Sequence, residues 1–228
     1  MWNEESFGIS VSDTNNLHDN QSPKPAIVAS VEPGSIGEVL GFESGDKLLS
    51  INGIQPRDLI DYRFLISENE LNLQVIDKNG KLFSLTVEKE EDEELGLMFT
   101  EALFDGLRQC NNQCPFCFID QQPPGKRKSL YLKDDDYRLS FLYGSYLTLT
   151  NLNETDWERI ETQRLSPLYI SVHATEAILR SNLLKNPKAG LFMDQLEWFA
   201  KRRLQIHAQI VVCPGINDGK ALEKTIDD

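Results

Sequence analysis

The chain has 228 residues, a formal net charge of -13 at pH 7 and only four cysteines, three of them crowded together. This pattern excludes the evenly spread disulfide framework of a small secreted protein. No apolar run approaches the roughly 20 residues that span a bilayer, and residues 1–10 lack the basic start and apolar core of a signal peptide. The composition therefore predicts a cytoplasmic protein with no membrane partner.

Charge is unevenly distributed along the chain. Residues 1–100 carry 19 Asp and Glu against 7 Lys and Arg, whereas residues 101–228 carry 17 against 16. The acidic excess peaks at 88–94, which we interpret as the junction between domains at residues 1–95 and 96–228. Proteins bind nucleic-acid phosphates with Lys and Arg, so the negative net charge of the first domain argues against nucleic-acid binding by that domain. Nucleic acid stays open as a partner of the whole chain.

Short strands broken by turn residues fill a core at residues 26–88. Strands are predicted at 26–31 and 47–51, and a hairpin at 71–87 turns at Asp77-Lys-Asn-Gly80. Between them, a short helix follows Ser35 and a second helix spans 57–66. The first domain is therefore predicted to have an α+β fold.

Three short motifs of this region, Pro33-Gly34-Ser35, Gly45-Asp46 and Asn52-Gly53, stand in the order typical of bacterial PDZ domains. The first domain resembles a PDZ domain. PDZ domains bind an extended peptide, often a protein C-terminus, as an added strand beside a glycine-containing loop. Segments 7–10 and 95–99 could each supply that loop. A domain that only packs against its neighbour is an equally open alternative.

Apolar strands alternate with amphipathic helices after residue 100. A strand is predicted within 141–150, further strands at 168–172 and 205–212, and helices at 153–164, 176–184, 189–203 and from residue 220. This alternation predicts βαβ units with their chemistry at the carboxyl ends of the strands. A complete eight-stranded barrel takes about 250 residues. We therefore expect an α/β partial (βα) barrel, apparently truncated at the C-terminus.

The cysteines Cys110, Cys114 and Cys117 lie within eight residues of each other. A [4Fe-4S] cluster takes one protein ligand per iron, so three thiolates leave one iron open for a substrate or cofactor. A zinc site completed by a histidine or by Cys213 is the alternative. Structural zinc ligands normally form two paired sets, so the crowded spacing favours the cluster.

The spacing Cys-x3-Cys-x2-Cys, with Phe116 before the last cysteine, resembles the signature of the radical S-adenosylmethionine (radical SAM) superfamily. The resemblance implies a [4Fe-4S] cluster whose open iron binds SAM, with Phe116 beside the cofactor. It also implies an electron donor such as ferredoxin or flavodoxin, and a 5′-deoxyadenosyl radical that abstracts hydrogen from a substrate.

Longer blocks carry a closer resemblance. Residues 110–128, 131–144, 168–174 and 213–219 are similar to the cyanobacterial-type iron–sulfur proteins. Members of that group have a PDZ-like N-terminus, a radical SAM-like core and a C-terminal domain of unknown function. The resemblance implies a cofactor but no particular substrate.

Polar residues after the predicted strands are candidates for contact with SAM. Many radical SAM enzymes carry Gly-Gly-Glu after the second strand, whereas this chain has Thr150 and Asn151 there, which are candidates by position. His173 and Asn217 resemble residues that line SAM pockets, with a wall histidine and a helix cap as their alternatives. Cys213 is a candidate hydrogen-atom donor, although burial is the commonest fate of a free cysteine.

The sequence thus predicts a radical SAM enzyme of unknown substrate with PDZ-like peptide recognition. The alternative is a non-enzymatic interaction protein whose cluster senses redox state or has a structural role. RNA modification is a third hypothesis, for which the basic run Lys126–Lys128 would provide a small RNA-binding surface. The acidic run Asp134–Asp136 is interpreted as solvated.

Overall fold

The structure is a computed structural model that describes residues 24–91 and 93–228. Its N-terminal unit is a sheet of five antiparallel strands in the order β4-β3-β2-β1-β5, with two short helices. The strands are β1 (Ala26–Val31), β2 (Lys47–Ile51), β3 (Glu70–Ile76), β4 (Leu82–Glu88) and β5 (Leu97–Phe99). The helices are α1 (Ile36–Val39) and α2 (Leu59–Leu65).

Alternation of apolar and polar residues determines which face of this sheet is buried. In β3, Leu71, Leu73 and Val75 are buried, while the residues between them face solvent, as the period of two in a strand requires. The hairpin to β4 turns at Asp77, whose Oδ1 accepts hydrogen bonds from the N–H groups of Asn79 and Lys81. The predicted strands and hairpin are confirmed here.

The strand β5 lies at the edge of the sheet and pairs with β1. The loop before it is fixed to α1, because the Leu95 carbonyl accepts a 2.8 Å hydrogen bond from the N–H of Gly37. Segment 95–99 therefore consists of this loop and β5, whereas segment 7–10 lies outside the described residues. The sheet continues past residue 95, and the expected domain boundary there stays a prediction.

The second unit mixes helices with parallel strand pairing. Strand β6 pairs in parallel with β7, and Leu147 forms a parallel bridge to Ile170 in β6. The elements are α3 (Tyr137–Tyr143), α4 (Glu154–Thr162), β6 (Leu168–Ser171), α5 (Ala177–Leu184), α6 (Phe192–Lys201), β7 (Ile206–Gln209) and α7 (Lys220–Asp227). Within the described residues, no helix has the length and apolar character to cross a membrane.

Within 141–150, where a strand is expected, the first three residues form the end of α3. Asp136 caps this helix by accepting a hydrogen bond from the N–H of Arg138, and Gly144 ends it at φ 76°. These caps outweigh the strand propensity of the aromatic residues between them. Only Leu147 joins the parallel sheet, through its bridge to β6.

Helix α2 joins the two units. Its N-cap, Asp58, accepts hydrogen bonds from the N–H groups of Ile60 and Asp61, and its two oxygens also accept 2.7 Å bonds from Arg159 in α4. Ile60 is buried in the apolar core of the second unit. Helix α2 thus belongs to the N-terminal unit by sequence and to both units by packing.

Candidate metal centre

The cysteine loop is anchored by backbone hydrogen bonds on two sides. The N–H of Cys110 donates to the carbonyl of Lys133 at 2.7 Å, and the N–H of Gln113 donates to the carbonyl of Leu184 at 3.0 Å. The first bond ties the loop to the segment before α3, and the second ties it to the end of α5. The loop therefore has a fixed position beside the sheet.

The three thiols influence one another. Burial raises the pKa of Cys110, and the carboxylate of Asp135 adds to the rise. Burial also raises the pKa of Cys114 to about 11, with further contributions from Cys110 and Cys117. In the described chain, however, no three His, Cys, Asp or Glu side chains form a group that could hold a metal ion. The thiols share one electrostatic environment without forming a closed ligand set.

Lys133 is a cation that interacts electrostatically with all three of these thiols. Burial opposes its charge, but a 2.6 Å bond to Asp120 and the neighbouring Cys117 and Cys110 raise its pKa. Its Nζ also donates to the backbone carbonyl of Asn112 at 2.8 Å. The ammonium group therefore remains charged, and it stabilises thiolates in the loop.

Asn112 connects the cysteine loop to residues 148–150, which follow the parallel bridge at Leu147. Its buried amide Nδ2 donates to Cys110 Sγ at 3.3 Å and to Thr148 Oγ1 at 2.9 Å. Its Oδ1 accepts from Asn186 at 2.7 Å and from Thr150 Oγ1 at 3.2 Å. The candidate Thr150 is thus buried in a network that ends on a cysteine sulfur. Sequence reasoning missed Asn112, although it lies inside the motif.

Two residues of the acidic run beside this network are buried, contrary to our prediction that the run is solvated. Asp135 and Asp136 are each 1% exposed. Both oxygens of Asp135 accept 2.6 Å bonds from Thr148, and burial nevertheless raises the pKa of Asp135 to about 6. Asp136 pairs with Arg138 at 2.7 Å. The cap position before α3 was a local signal for Asp136, but Asp135 had none.

Asn151 presents an unused acceptor at the same edge. Its Nδ2 donates to the backbone carbonyls of Asp135 at 2.9 Å and Gln109 at 3.3 Å, which fixes the orientation of the amide. Its Oδ1 is buried and has no hydrogen-bond partner among the described residues. A buried acceptor without a partner costs free energy, and a ligand that donates a hydrogen bond would remove this cost.

His173 lies directly beyond β6 and contacts the cysteine loop. Its ring makes an edge contact with the ring of Phe116, at 4.8 Å between centroids. Its Nδ1 accepts a 3.1 Å bond from the N–H of Val211, which places the neutral ring's proton on Nε2. Burial, with a smaller contribution from Arg180, lowers the pKa of His173 to about 4. The backbone at His173 is left-handed, with φ 64°.

Asn217 is completely buried behind His173. Its Nδ2 donates to the carbonyls of His173 at 2.7 Å and Val211 at 2.9 Å, and its Oδ1 accepts from the N–H of Cys213 at 2.6 Å. These bonds join the segment after β6 to the turn after β7. The structure therefore brings His173 and Asn217 together, and it gives the Asn217 amide three protein partners.

Comparison with protein families identifies both units. A family model described as a Radical SAM-like domain matches residues 89–228, and a PDZ domain model matches residues 27–77. The first match covers more than half of the chain. This chain belongs to the Radical SAM-like domain family. The two predicted domain types are confirmed, in a mixed α/β structure with a PDZ-type N-terminal region. No curated protein matches the chain.

Cys213 lies on the same side of the Radical SAM-like domain as the cysteine loop. It packs, together with Cys114 and Phe116, against an apolar cluster formed by Leu183, Leu184 and Ala189. Burial raises its pKa. The thiol is half-buried, and its nearest polar partner is the carbonyl of Val211 at 3.9 Å.

Arg180 on α5 is the residue of this domain that sequence reasoning missed most completely. It is fully buried. Its guanidinium donates to four backbone carbonyls, at 2.7–3.0 Å, and stacks on the ring of Phe192 at 4.0 Å. The four acceptors are those of Thr148, Ser171, Val172 and Ala189. Burial lowers the pKa of Arg180 to about 10, while Asp135 and Cys114 oppose the shift.

Proposed function

We propose that this chain is a radical SAM-type [4Fe-4S] protein that cleaves SAM reductively to a 5′-deoxyadenosyl radical acting on an unknown substrate. The main observation behind this proposal is that two residues of the cysteine loop contact the carboxyl edge of the parallel strands. Asn112 bonds to Cys110 and to Thr148, and Phe116 packs against His173. The parallel pairing of β6 with β7 supports a partial (βα) barrel in this domain. We place the protein in the cytoplasm, where thiols stay reduced.

The residues present fit such a cluster in their donor chemistry. Cys110, Cys114 and Cys117 supply thiols that already interact electrostatically. The N–H···S bond from Asn112 and the charge of Lys133 are the kinds of interaction that tune cluster potentials. When bound, the cluster would supply the electron that cleaves SAM. The protein's own part is to position and shield the reactants.

Two groups of residues would contact SAM. Asn151 would offer its unpartnered Oδ1 to a donor such as the amino group of SAM. Phe116 and His173 would form an apolar wall, because the histidine stays neutral near pH 7. Thr150 would act through Asn112, since its hydroxyl is buried in that network.

Asn217 and Cys213 have different roles in this proposal. Asn217 would act as a positioning residue that holds the backbone of His173, in addition to any contact with SAM that sequence resemblance implies. Cys213 is the candidate hydrogen-atom donor, supported by its place in the apolar cluster that also contacts Cys114.

The N-terminal region would bind an extended peptide or protein C-terminus along β5. The support is the PDZ match and the edge position of β5, whose outer side has no strand partner among the described residues. An added strand would pair with β5 beside the loop at Gly96. The N-terminal region also packs against the Radical SAM-like domain through α2, and peptide binding along β5 is compatible with that contact.

Cluster assembly is tested first, by anaerobic reconstitution with iron and sulfide. We expect wild-type protein to develop charge-transfer absorption and about four irons per chain. Cys114→Ser should lose stable cluster, whereas Cys213→Ser, a control that removes a thiol outside the motif, should retain it. Equal iron content in both variants would contradict the assignment of ligands.

SAM cleavage is tested next, with dithionite as reductant. Reconstituted protein plus SAM should release 5′-deoxyadenosine, and SAM should change the electron paramagnetic resonance spectrum of the reduced cluster. An intact cluster whose spectrum ignores SAM would favour the non-enzymatic alternative, a PDZ-led interaction protein with a redox-sensing or structural cluster. SAM-dependent change in RNA from matched wild-type and deletion strains would instead favour RNA modification.

A further inference from the structure

The segment 118–132 forms a surface loop that starts and ends at the cysteine site. It begins directly after Cys117, and it ends before Lys133, whose carbonyl accepts the N–H of Cys110 and whose Nζ donates to the carbonyl of Asn112. Both ends of the loop are therefore bonded to the loop that carries the thiols. Most of its residues are exposed to solvent.

Hydrogen bonds hold this surface loop in one shape. The hydroxyl of Tyr131 donates to the carbonyl of Pro123 at 2.6 Å and accepts from the N–H of Lys126 at 2.8 Å. The side chain of Gln122 donates to the carbonyl of Phe118 at 3.1 Å. These bonds fix the backbone next to the cationic residues 126–128, which form the tip of the loop.

The loop carries positive charge on an acidic protein. Residues 115–133 contain four Lys and Arg against one Asp, in a chain of net charge -13. Lys126, Arg127 and Lys128 at the tip are exposed, and none forms a salt bridge with a described residue. Two exposed apolar side chains flank the ends of the loop, Phe118 at 72% and Leu132 at 50% exposure.

Resting on the function proposed above, we propose that the 118–132 loop is the docking surface for a small acidic protein that carries single electrons. Phe118 and Leu132 would form the apolar centre of the interface, and the three cations at the tip would form its charged rim. In each encounter the carrier loses one electron and the cluster gains it, with no bond made and no proton moved. Electrostatic steering toward the rim would accelerate the encounter.

The observations favour an acidic protein over RNA as the occupant. Three adjacent exposed cations make a small basic surface, whereas RNA binding needs an extended basic stripe. The position also matters, because an electron carrier must approach the thiols that this loop flanks. A second copy of this chain is the other acidic protein to consider, and calorimetric titration of the chain against itself tests it.

The test uses purified flavodoxin as the acidic carrier. The variant Lys126→Gln/Arg127→Gln/Lys128→Gln removes the rim. The sheet variant, Lys24→Gln/Lys47→Gln/Lys81→Gln, removes the same charge from exposed positions in or beside the strands of the N-terminal sheet. Calorimetry measures flavodoxin affinity, and stopped-flow absorption measures reduction of the reconstituted protein by reduced flavodoxin, with dithionite as a small reductant for comparison.

At low ionic strength, we expect the rim variant to bind flavodoxin about tenfold more weakly and to be reduced correspondingly more slowly. Phe118→Ala should also weaken binding, and the sheet variant should behave as wild type. Dithionite should reduce all proteins equally. Added salt should remove most of the difference between wild type and the rim variant.

Wild-type affinity and reduction rate in the rim variant would overturn the proposal, as would an equal loss in the sheet variant. If the rim variant loses RNA binding but keeps its flavodoxin affinity, the loop is an RNA-binding surface. If self-association is lost only in the rim variant, the loop contacts a second copy of this chain. Wild-type protein without cluster absorption would refute the proposed function instead, and calorimetry would still decide docking because binding requires no cluster.

Discussion

Asp58 of the PDZ-type region and Arg159 of the Radical SAM-like domain form a buried, two-pronged ion pair, with both nitrogen–oxygen distances at 2.7 Å. The same carboxylate caps α2 and lies 3.4 Å from Arg138. Arg138 in turn pairs with Asp136, which accepts a hydrogen bond from the N–H of Arg108, two residues before Cys110. A continuous polar network thus leads from α2 to the cysteine loop.

Asp58→Asn is expected to destabilise the protein by about 1.5–3 kcal/mol, because it removes the charged acceptor of two buried hydrogen bonds from Arg159. Arg159 keeps a second carboxylate, Asp61, at 2.8 Å, which limits the loss. Asn remains a good helix cap, so the change isolates the ion pair. Urea unfolding measures the effect. Lys201→Ala is the control, since its pair with Glu197 is exposed and should contribute less than about 1 kcal/mol. A loss below about 1 kcal/mol for Asp58→Asn would contradict the role of the pair.

Gly96→Ala is expected to distort the loop before β5 and to abolish peptide binding there. Gly96 has φ 70°, and an added Cβ would lie 2.3 Å from Cβ of Ser35. Gly80→Ala is a matched control, because Gly80 has φ 89° but no atom within 4 Å of the added carbon.

The control should lose about 1–2 kcal/mol of unfolding free energy from its left-handed backbone alone. Gly96→Ala should lose more, because backbone around Ser35 must also move. Urea unfolding of both variants gives the comparison, and fluorescence anisotropy with a peptide library measures binding. Equal losses in the two variants would show that the close approach to Ser35 carries no cost.

Local signals explain what the sequence could predict. The hairpin at Asp77 and the alternation in β3 depend on neighbours in sequence, and the cysteine spacing is itself a local motif. Asp135 and Arg180 carry no comparable signal. Their partners at Thr148 lie 13 and 32 residues away, so their burial depends on tertiary packing. The strand expected within 141–150 is limited to the bridge at Leu147, because the caps of α3 outweigh the strand propensity of the aromatic residues before it.

His173 is expected to make stability fall in acid. Its pKa is about 4 in the folded protein and about 6.5 when unfolded. The folded value is depressed, so the unfolded chain binds the proton first as pH falls below about 6.5. Between pH 7.5 and 4.5 this difference should cost about 2.5 kcal/mol.

His173→Asn provides the comparison, because Asn tolerates the left-handed backbone at this position. Urea unfolding of both proteins at the two pH values removes effects that they share, including the opposite effect of Asp135, whose raised pKa favours the folded state in acid. The advantage of wild type over the variant should shrink by about 2.5 kcal/mol. An advantage that does not change with pH would mean that His173 is protonated as easily in the folded protein.

Arg180 is expected to raise the reduction potential of the proposed cluster. Its buried charge lies within electrostatic range of Cys114, and its guanidinium donates four hydrogen bonds to backbone carbonyls. A cation favours the reduced state, which carries one more negative charge. At an effective dielectric constant of about 20, a charge about 10 Å away contributes about 1–2 kcal/mol, or about 40–90 mV for one electron.

Arg180→Gln should therefore lower the midpoint potential by about 40–90 mV, whereas Arg180→Lys should leave it within about 20 mV because the charge is kept. Both variants should lose stability, since neither replaces the four hydrogen bonds to carbonyls. Dye-mediated redox titration of reconstituted protein separates the two effects. Equal potentials in the Gln and Lys variants would show that Arg180 holds the backbone of this site without setting its charge.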